Sequence, residues 1–117
     1  MKFFRRKVIK GTQLGRKLGF PTVNLHVGHF GEHVRQGVHV CEVIVHGDPY
    51  SGLLYFGPKF AHPGLALEIY IHHFSKTLYG QWVSFKVGHF IRAPKKFTSV
   101  QVLKSQMRKD IRALDLA

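Results

Sequence analysis

The sequence predicts a small all-β protein, an antiparallel barrel with one C-terminal helix. Two patterns carry this. Between residues 3 and 91, β-branched and aromatic residues recur in short runs, several with a two-residue period, separated by Gly, Pro, Asn and Asp. After residue 99 the apolar period becomes helical. Many short strands would expose sheet edges, and closing the sheet into a barrel removes them. At 117 residues the chain fits one domain, residues 1–117, with a core large enough to need no staples.

Residues 3 to 9, FFRRKVI, form the first predicted strand. A glycine-rich loop follows, and a second strand begins over 23 to 27. Residues 28 to 36, GHFGEHVRQ, have loop composition. Residues 37 to 45, GVHVCEVIV, are β-branched and roughly alternating. The turn signal His46-Gly47-Asp48-Pro49 folds residues 50 to 56 back as a hairpin. Residues 65 to 72 alternate clearly, and 81 to 91 form the last strand. Val100, Leu103, Met107, Ile111 and Leu114 then make one helical face. Thr98 with Gln101 fits a capping box, and Phe97 with Val102 a hydrophobic staple.

Charge is the outlier. Eighteen Lys and Arg stand against six Asp and Glu, a net +12. Such a field draws anions without choosing among nucleic acid, acidic lipid and phosphorylated small molecules. One cysteine, Cys41, excludes an internal disulfide, and a reducing compartment is the simpler expectation. Charges interrupt the apolar pairs of the N-terminus, and no run approaches a bilayer span. A cytoplasmic protein without membrane contact is expected.

The stretch G11-T-Q-L-G15-R-K-L-G19-F-P-T-V-N24 holds more turn formers than a turn needs. Glycines let backbone N–H groups approach an anion, yet the spacing is neither a Walker A nor a G-x-G-x-x-G. In an extended segment Thr22 and Asn24 point to one side. A hydroxyl and an amide oxygen are hard donors suited to Mg²⁺ with phosphate oxygens. The plainer reading is an irregular loop whose Thr and Asn bond their own backbone.

These residues have a wider pattern. G11-x-x-x-G15-R16-x-L-G19-F20-P21-T22-x-N24 closely resembles the signature of bacterial and eukaryotic riboflavin kinases. Gly37-Val38-His39 stands where that family begins a strand with G-[VI]-Y. Glu68 to Phe74 with Leu78-Tyr79-Gly80 is similar to its E-x-H-[LI]-x-x-F…[LF]-Y-G segment. Ile91-Arg92 with Lys96-Phe97 is similar to its L-R-x-E-x-x-F segment. The resemblance spans nearly the whole chain. There are departures: Val23 replaces a usual Ala, and acids are missing from Ser75-Lys76-Thr77 and from Arg92-Ala93-Pro94-Lys95. The lost negative charge bears on substrate affinity and flap closure more than on the reaction.

The resemblance implies a six-stranded antiparallel Greek-key barrel with a C-terminal helix. It implies transfer of the ATP γ-phosphoryl to the riboflavin 5′-hydroxyl, giving FMN. Gly11, Gly15, Arg16, Gly19 and Pro21 would surround the nucleotide phosphates, with Thr22 and Asn24 holding Mg²⁺ and Glu68 as the catalytic base. Arg92 would lie near the flavin. The flavin ring would sit between barrel and helix, with Phe97 and Met107 expected in the core instead. The partners implied are ATP and riboflavin, bound by a monomer. In bacteria this domain usually follows an FMN adenylyltransferase domain, for which 117 residues leave no room. A stand-alone kinase or a separately expressed piece is expected.

Residue patterns support Glu68 on their own. Leu65, Leu67, Ile69 and Ile71 alternate onto one strand face, and Ala66, Glu68, Tyr70 and His72 share the other. A carboxylate there, beside an aromatic, is placed for desolvation and a raised pKa. The plainer alternative is a solvated outer face. Glu42, on a face with Val38, Val40 and Ile44, would need a partner such as an arginine. Lys17 reads as a solvated charge.

Two other classes compete. The charge and the 13% aromatic content suit a small RNA-binding barrel without catalytic activity. No RNP or KH motif appears, and nucleic acid is the lesser expectation. Nine histidines raise a metal protein, with His26, His29 and His33 at ligand-like spacing. His72 and His73, adjacent on a strand, would point to opposite faces.

Overall fold

A computed structural model describes residues 2–11 and 19–116. The described residues form six strands: β1 Phe3–Ile9, β2 Thr22–Leu25, β3 Gly37–Val45, β4 Asp48–Pro58, β5 Leu65–Ile71 and β6 Trp82–Arg92. All pairings are antiparallel, and the order β1-β2-β5-β4-β3-β6 closes where β6 pairs β1. Among the described residues one α-helix, α1, runs over Val100–Leu116 and packs on β4. The predicted class is therefore the observed one.

Alternation decides the inside. Phe4 and Val8 of β1, Cys41, Val43 and Val45 of β3, and Leu67, Ile69 and Ile71 of β5 point inward and are buried. Phe4, Phe30, Phe56 and Phe85 meet as a ring cluster, with Phe30 centroids 5.0 Å from Phe4 and 5.2 Å from Phe56. A barrel this narrow is filled by side chains, so any ligand must bind outside it.

Local differences have physical causes. The segment read as plain loop, 28 to 36, contains a 3₁₀ turn, Phe30–Glu32, that plugs the core with a fully buried Phe30. The hairpin turn is shorter than expected. His46 and Gly47 both have positive φ, 50° and 86°, so two residues reverse the chain and Asp48 already begins β4. The helix is capped by Ser99, not Thr98: the Val102 N–H donates to Ser99 Oγ at 3.2 Å. That shift leaves Phe97 outside staple position and Val102 49% exposed. Glu42 is exposed and needs no buried partner. β5 ends at Ile71, and His73 has φ 59°, so strand alternation no longer applies; the His72 and His73 rings lie side by side at 3.9 Å.

The spaced histidines go to separate partners. His29 Nδ1 meets Glu32 Oε1 at 3.3 Å, and the Gly28 N–H donates to His26 Nδ1. The His33 ring packs against Phe4. Among the described residues no three His, Cys, Asp or Glu converge as a metal site, and no helix there is long and apolar enough to cross a membrane.

Candidate active site

β2, β5 and β4 turn their outer faces toward α1. Thr22 and Asn24, Ala66, Glu68 and Tyr70, and Leu53 and Tyr55 form the floor of a cavity of about 920 Å³. Leu103, Met107, Asp110 and Ile111 of α1 line it from the helix side, and Phe97 and Val38 also line it. Phe97 and Met107 are thus pocket residues, contrary to the expectation of core. The helix's apolar stripe is only partly covered because it faces this space.

A second cavity, about 280 Å³, is bounded by Pro21, Val23 and the 74–79 connection. The two cavities share Lys10, Gly11, Thr22 and Asn24. Thr22 and Asn24 do lie on one side of an extended strand, as the period of two requires, and they stand at the junction. Gly11 fits there because it lacks a side chain: a Cβ would fall on the Asn24 carboxamide.

Glu68 lies opposite Asn24 in the β2–β5 register. Burial pushes its carboxyl above the ordinary carboxylate range; the Lys59 charge and a hydrogen bond from Thr22 pull the other way. Tyr55, opposite Glu68 on β4, has its phenol raised by burial and then by the Glu68 charge, and its hydroxyl donates to the Pro58 carbonyl at 2.5 Å. The result is a half-buried carboxylate next to a pair of hard oxygen donors, an arrangement able to accept a hydroxyl proton.

Arg92 lines the larger cavity, but its guanidinium is committed. Nε donates to Asp110 Oδ1 at 3.0 Å and Nη2 to Oδ2 at 2.7 Å, a two-pronged pair joining β6 to α1. Gln106 Nε2 adds a 2.9 Å bond to Asp110 Oδ1. Arg92 therefore fastens the helix over the cavity. Gly19, with φ 88°, forms a turn before Pro21 and lines neither cavity. Gly15, Arg16 and Lys17 lie outside the described residues.

Sequence reasoning missed Asp110, Lys59 and Tyr55. Asp110 left a signal: it adjoins Ile111 on the apolar helical stripe, where a carboxylate requires a cation. Lys59 and Tyr55 carried none, since their relation to Glu68 comes from strand pairing.

The flavokinase family model, riboflavin kinase, matches residues 2–116. A bifunctional riboflavin kinase/FMN adenylyltransferase of Haemophilus influenzae is 36% identical over 108 residues, covering 90% of this chain and 35% of that protein. An RNA-binding riboflavin kinase, RibR, of Bacillus subtilis is 35% identical over 107 residues, 89% of this chain and 46% of that protein. The chain thus spans less than half the length of these relatives. The crystal structure of riboflavin kinase from Trypanosoma brucei superposes with a TM-score of 0.63 at 29% identity, covering 94% of this chain and 74% of that one. A matching family model over nearly every residue, on the barrel and helix described above, establishes that the chain belongs to the riboflavin kinase family.

Proposed function

We propose that residues 1–117 act as one kinase domain that transfers the γ-phosphoryl of ATP to the 5′-hydroxyl of riboflavin, giving FMN and ADP. One observation carries the reading: Glu68 opens only into the larger cavity, while Thr22 and Asn24 wall both. Riboflavin in the larger cavity would present its ribityl hydroxyl to Glu68. ATP phosphates in the smaller one would meet it across Thr22 and Asn24.

The reaction needs little covalent help from the protein. Glu68 accepts the proton of the hydroxyl as its oxygen bonds to the γ-phosphorus; the bond to the bridging oxygen breaks and ADP leaves. Burial suits the carboxylate to this, because a base works best with a pKa raised toward the working pH. Leu53, Phe97, Leu103, Met107 and Ile111 supply apolar wall for the flavin ring. Gly11 and Pro21 shape the phosphate side, and the resemblance adds Gly15, Arg16 and Gly19.

The donor set fits a magnesium ion. Thr22 and Asn24 offer neutral oxygens, the lack of a Cβ at Gly11 leaves room for the Asn24 carboxamide, and phosphate oxygens and water would supply the remaining ligands. Bound there, Mg²⁺ would neutralise phosphate charge. We place the enzyme in the cytoplasm as a monomer, in keeping with one buried thiol whose pKa is pushed up to about 12 by burial.

The test incubates pure protein with riboflavin, ATP and Mg²⁺ and separates FMN from riboflavin by chromatography. FMN formation that falls sharply in Glu68→Gln supports kinase and base together. No FMN from folded protein, with other nucleotides and divalent ions also tried, overturns the proposal.

A further inference from the structure

On the side of the barrel away from Glu68, β1 and β6 lie next to each other. The residues that alternate outward there are Phe3, Arg5 and Lys7 on β1 and Trp82, Ser84 and Lys86 on β6. The register sets Phe3 opposite Lys86, Arg5 opposite Ser84 and Lys7 opposite Trp82. The inward residues Phe4 and Val8 of β1 and Val83 and Phe85 of β6 fill the core. Nothing in the kinase reading uses the outward set.

Two large rings stand exposed on this face, Phe3 at 47% and Trp82 at 51%. Each carries a cation over it. The Arg5 guanidinium lies 4.5 Å from the Trp82 ring, and Lys86 Nζ lies 5.3 Å from Phe3. Phe3 and Trp82 sit at opposite ends of the strip, roughly 13 Å apart along the strands at the usual rise per residue. Neither strand contains an acidic residue, and the nearest outward acid, Glu42, flanks the strip on β3 opposite Lys86.

Exposed rings interleaved with cations are what a single nucleic-acid strand requires: π-faces for its bases and positive charge for its phosphates. We propose that the outer face of the β1–β6 pair binds single-stranded nucleic acid, stacking bases on Trp82 and Phe3 and holding phosphates with Arg5, Lys7 and Lys86. The occupant follows from charge. A second copy would bring the same cations against these, and the chain carries +12 overall. Duplex would offer phosphates but no free base faces.

Trp82 is the only tryptophan, so its emission reports directly on this face. The protein is titrated with fluorescently labelled 12-nucleotide single strands, RNA and DNA, following anisotropy, and with unlabelled strands, following Trp82 emission. Binding should quench Trp82, and three phosphate contacts predict a log–log salt slope of about −2. Trp82→Ala should weaken binding roughly ten- to a hundredfold, and Trp82→Phe much less. Arg5→Ser should reduce the salt slope by about 0.7. FMN formation should be unchanged in all three variants, which also shows them folded. The proposal is overturned by absence of binding at low salt. Equal affinity of parent, Trp82→Ala and Arg5→Ser would also overturn it, since the charge would then be acting elsewhere. So would quenching by anionic lipid vesicles without quenching by oligonucleotide.

Discussion

A single methyl group at Gly11 tests the geometry at the junction of the two cavities. A Cβ built there meets Cγ, Oδ1 and Nδ2 of Asn24, all nearer than the 3.0 Å that real Cβ atoms respect. Reaching the 3.4 Å of ordinary contact moves the carboxamide by about an ångström. Asn24 is only partly buried, so it can swing aside without unpacking the core. Stability should therefore change by no more than about 1 kcal/mol, the usual scale for a tolerated glycine replacement. Activity should change far more, because misplacing a positioning group by about 1 Å costs on the order of a hundredfold. The assay is the rate of FMN formation in Gly11→Ala across a Mg²⁺ titration, beside a thermal melt. Turnover should fall about a hundredfold and the Mg²⁺ requirement should rise. The double variant Gly11→Ala/Asn24→Ala should match Asn24→Ala alone, since removing the carboxamide removes the clash. Parent-like turnover in Gly11→Ala, or losses that simply multiply in the double variant, would refute the reasoning.

Four further outcomes are expected. Glu68→Gln should lower turnover by roughly 10²- to 10⁴-fold with ATP binding nearly intact, as nucleotide titration would show. The same variant should be more stable than its parent at neutral pH. Burial raises the folded carboxyl pKa, so the favourable contribution exists below the unfolded pKa and is lost as pH rises through the folded one; melts from pH 3 to 8 should converge at the acid end. Asp110→Ala should cost roughly 2–4 kcal/mol and raise the riboflavin KM, because it strands Arg92 and loosens α1, whereas an Arg92→Met/Asp110→Leu pair should recover most of the stability in urea unfolding. Phe30→Ala should cost roughly 3–5 kcal/mol by the same measurement, its ring being fully buried among Phe4, Phe56 and Phe85.

Strands were legible where alternation was strong. β1 and β3 begin and end where the sequence places them, because their apolar period, Phe4, Val8 and then Cys41, Val43, Val45, reflects one buried face. β2 was harder. Four residues hold too few periods to fix their ends, so the expected span of 23 to 27 slid to Thr22–Leu25. Phe30 was hidden because nothing in GHFGEHVRQ alternates; only the closed barrel creates the opening that its ring fills. The same-sided Thr22 and Asn24, and Glu68 on the outer face of β5, followed from the period of two. That Asn24 and Glu68 stand opposite one another did not, because register between strands separated by 40 residues is a tertiary fact. Arg92 shows another limit of motif reading. Its motif position pointed to the cavity, and it does line the cavity, yet the partner that claims its guanidinium lies on the helix.

The placement of the site follows from the fold's size. A six-stranded barrel stacked inside with phenylalanines has no interior to lend, so its chemistry must use the outward half of each strand's alternation. An outward carboxylate on a bare barrel would be solvated and would keep an ordinary pKa. α1 changes that: by standing off β4 it encloses Glu68 without filling the space above it. The enclosure is held by few contacts, of which the Arg92–Asp110 pair is the most directional. Lifting the helix returns both ions of this largely buried pair to water together, so neither is left buried and alone as in Asp110→Ala. If the proposed function holds, a flavin filling the cavity would enter between barrel and helix. A helix fastened by a large dry interface would enclose Glu68 equally well and admit no substrate. On the proposed function, the partly exposed stripe of Leu103, Met107 and Ile111 is a wall that a bound flavin would complete.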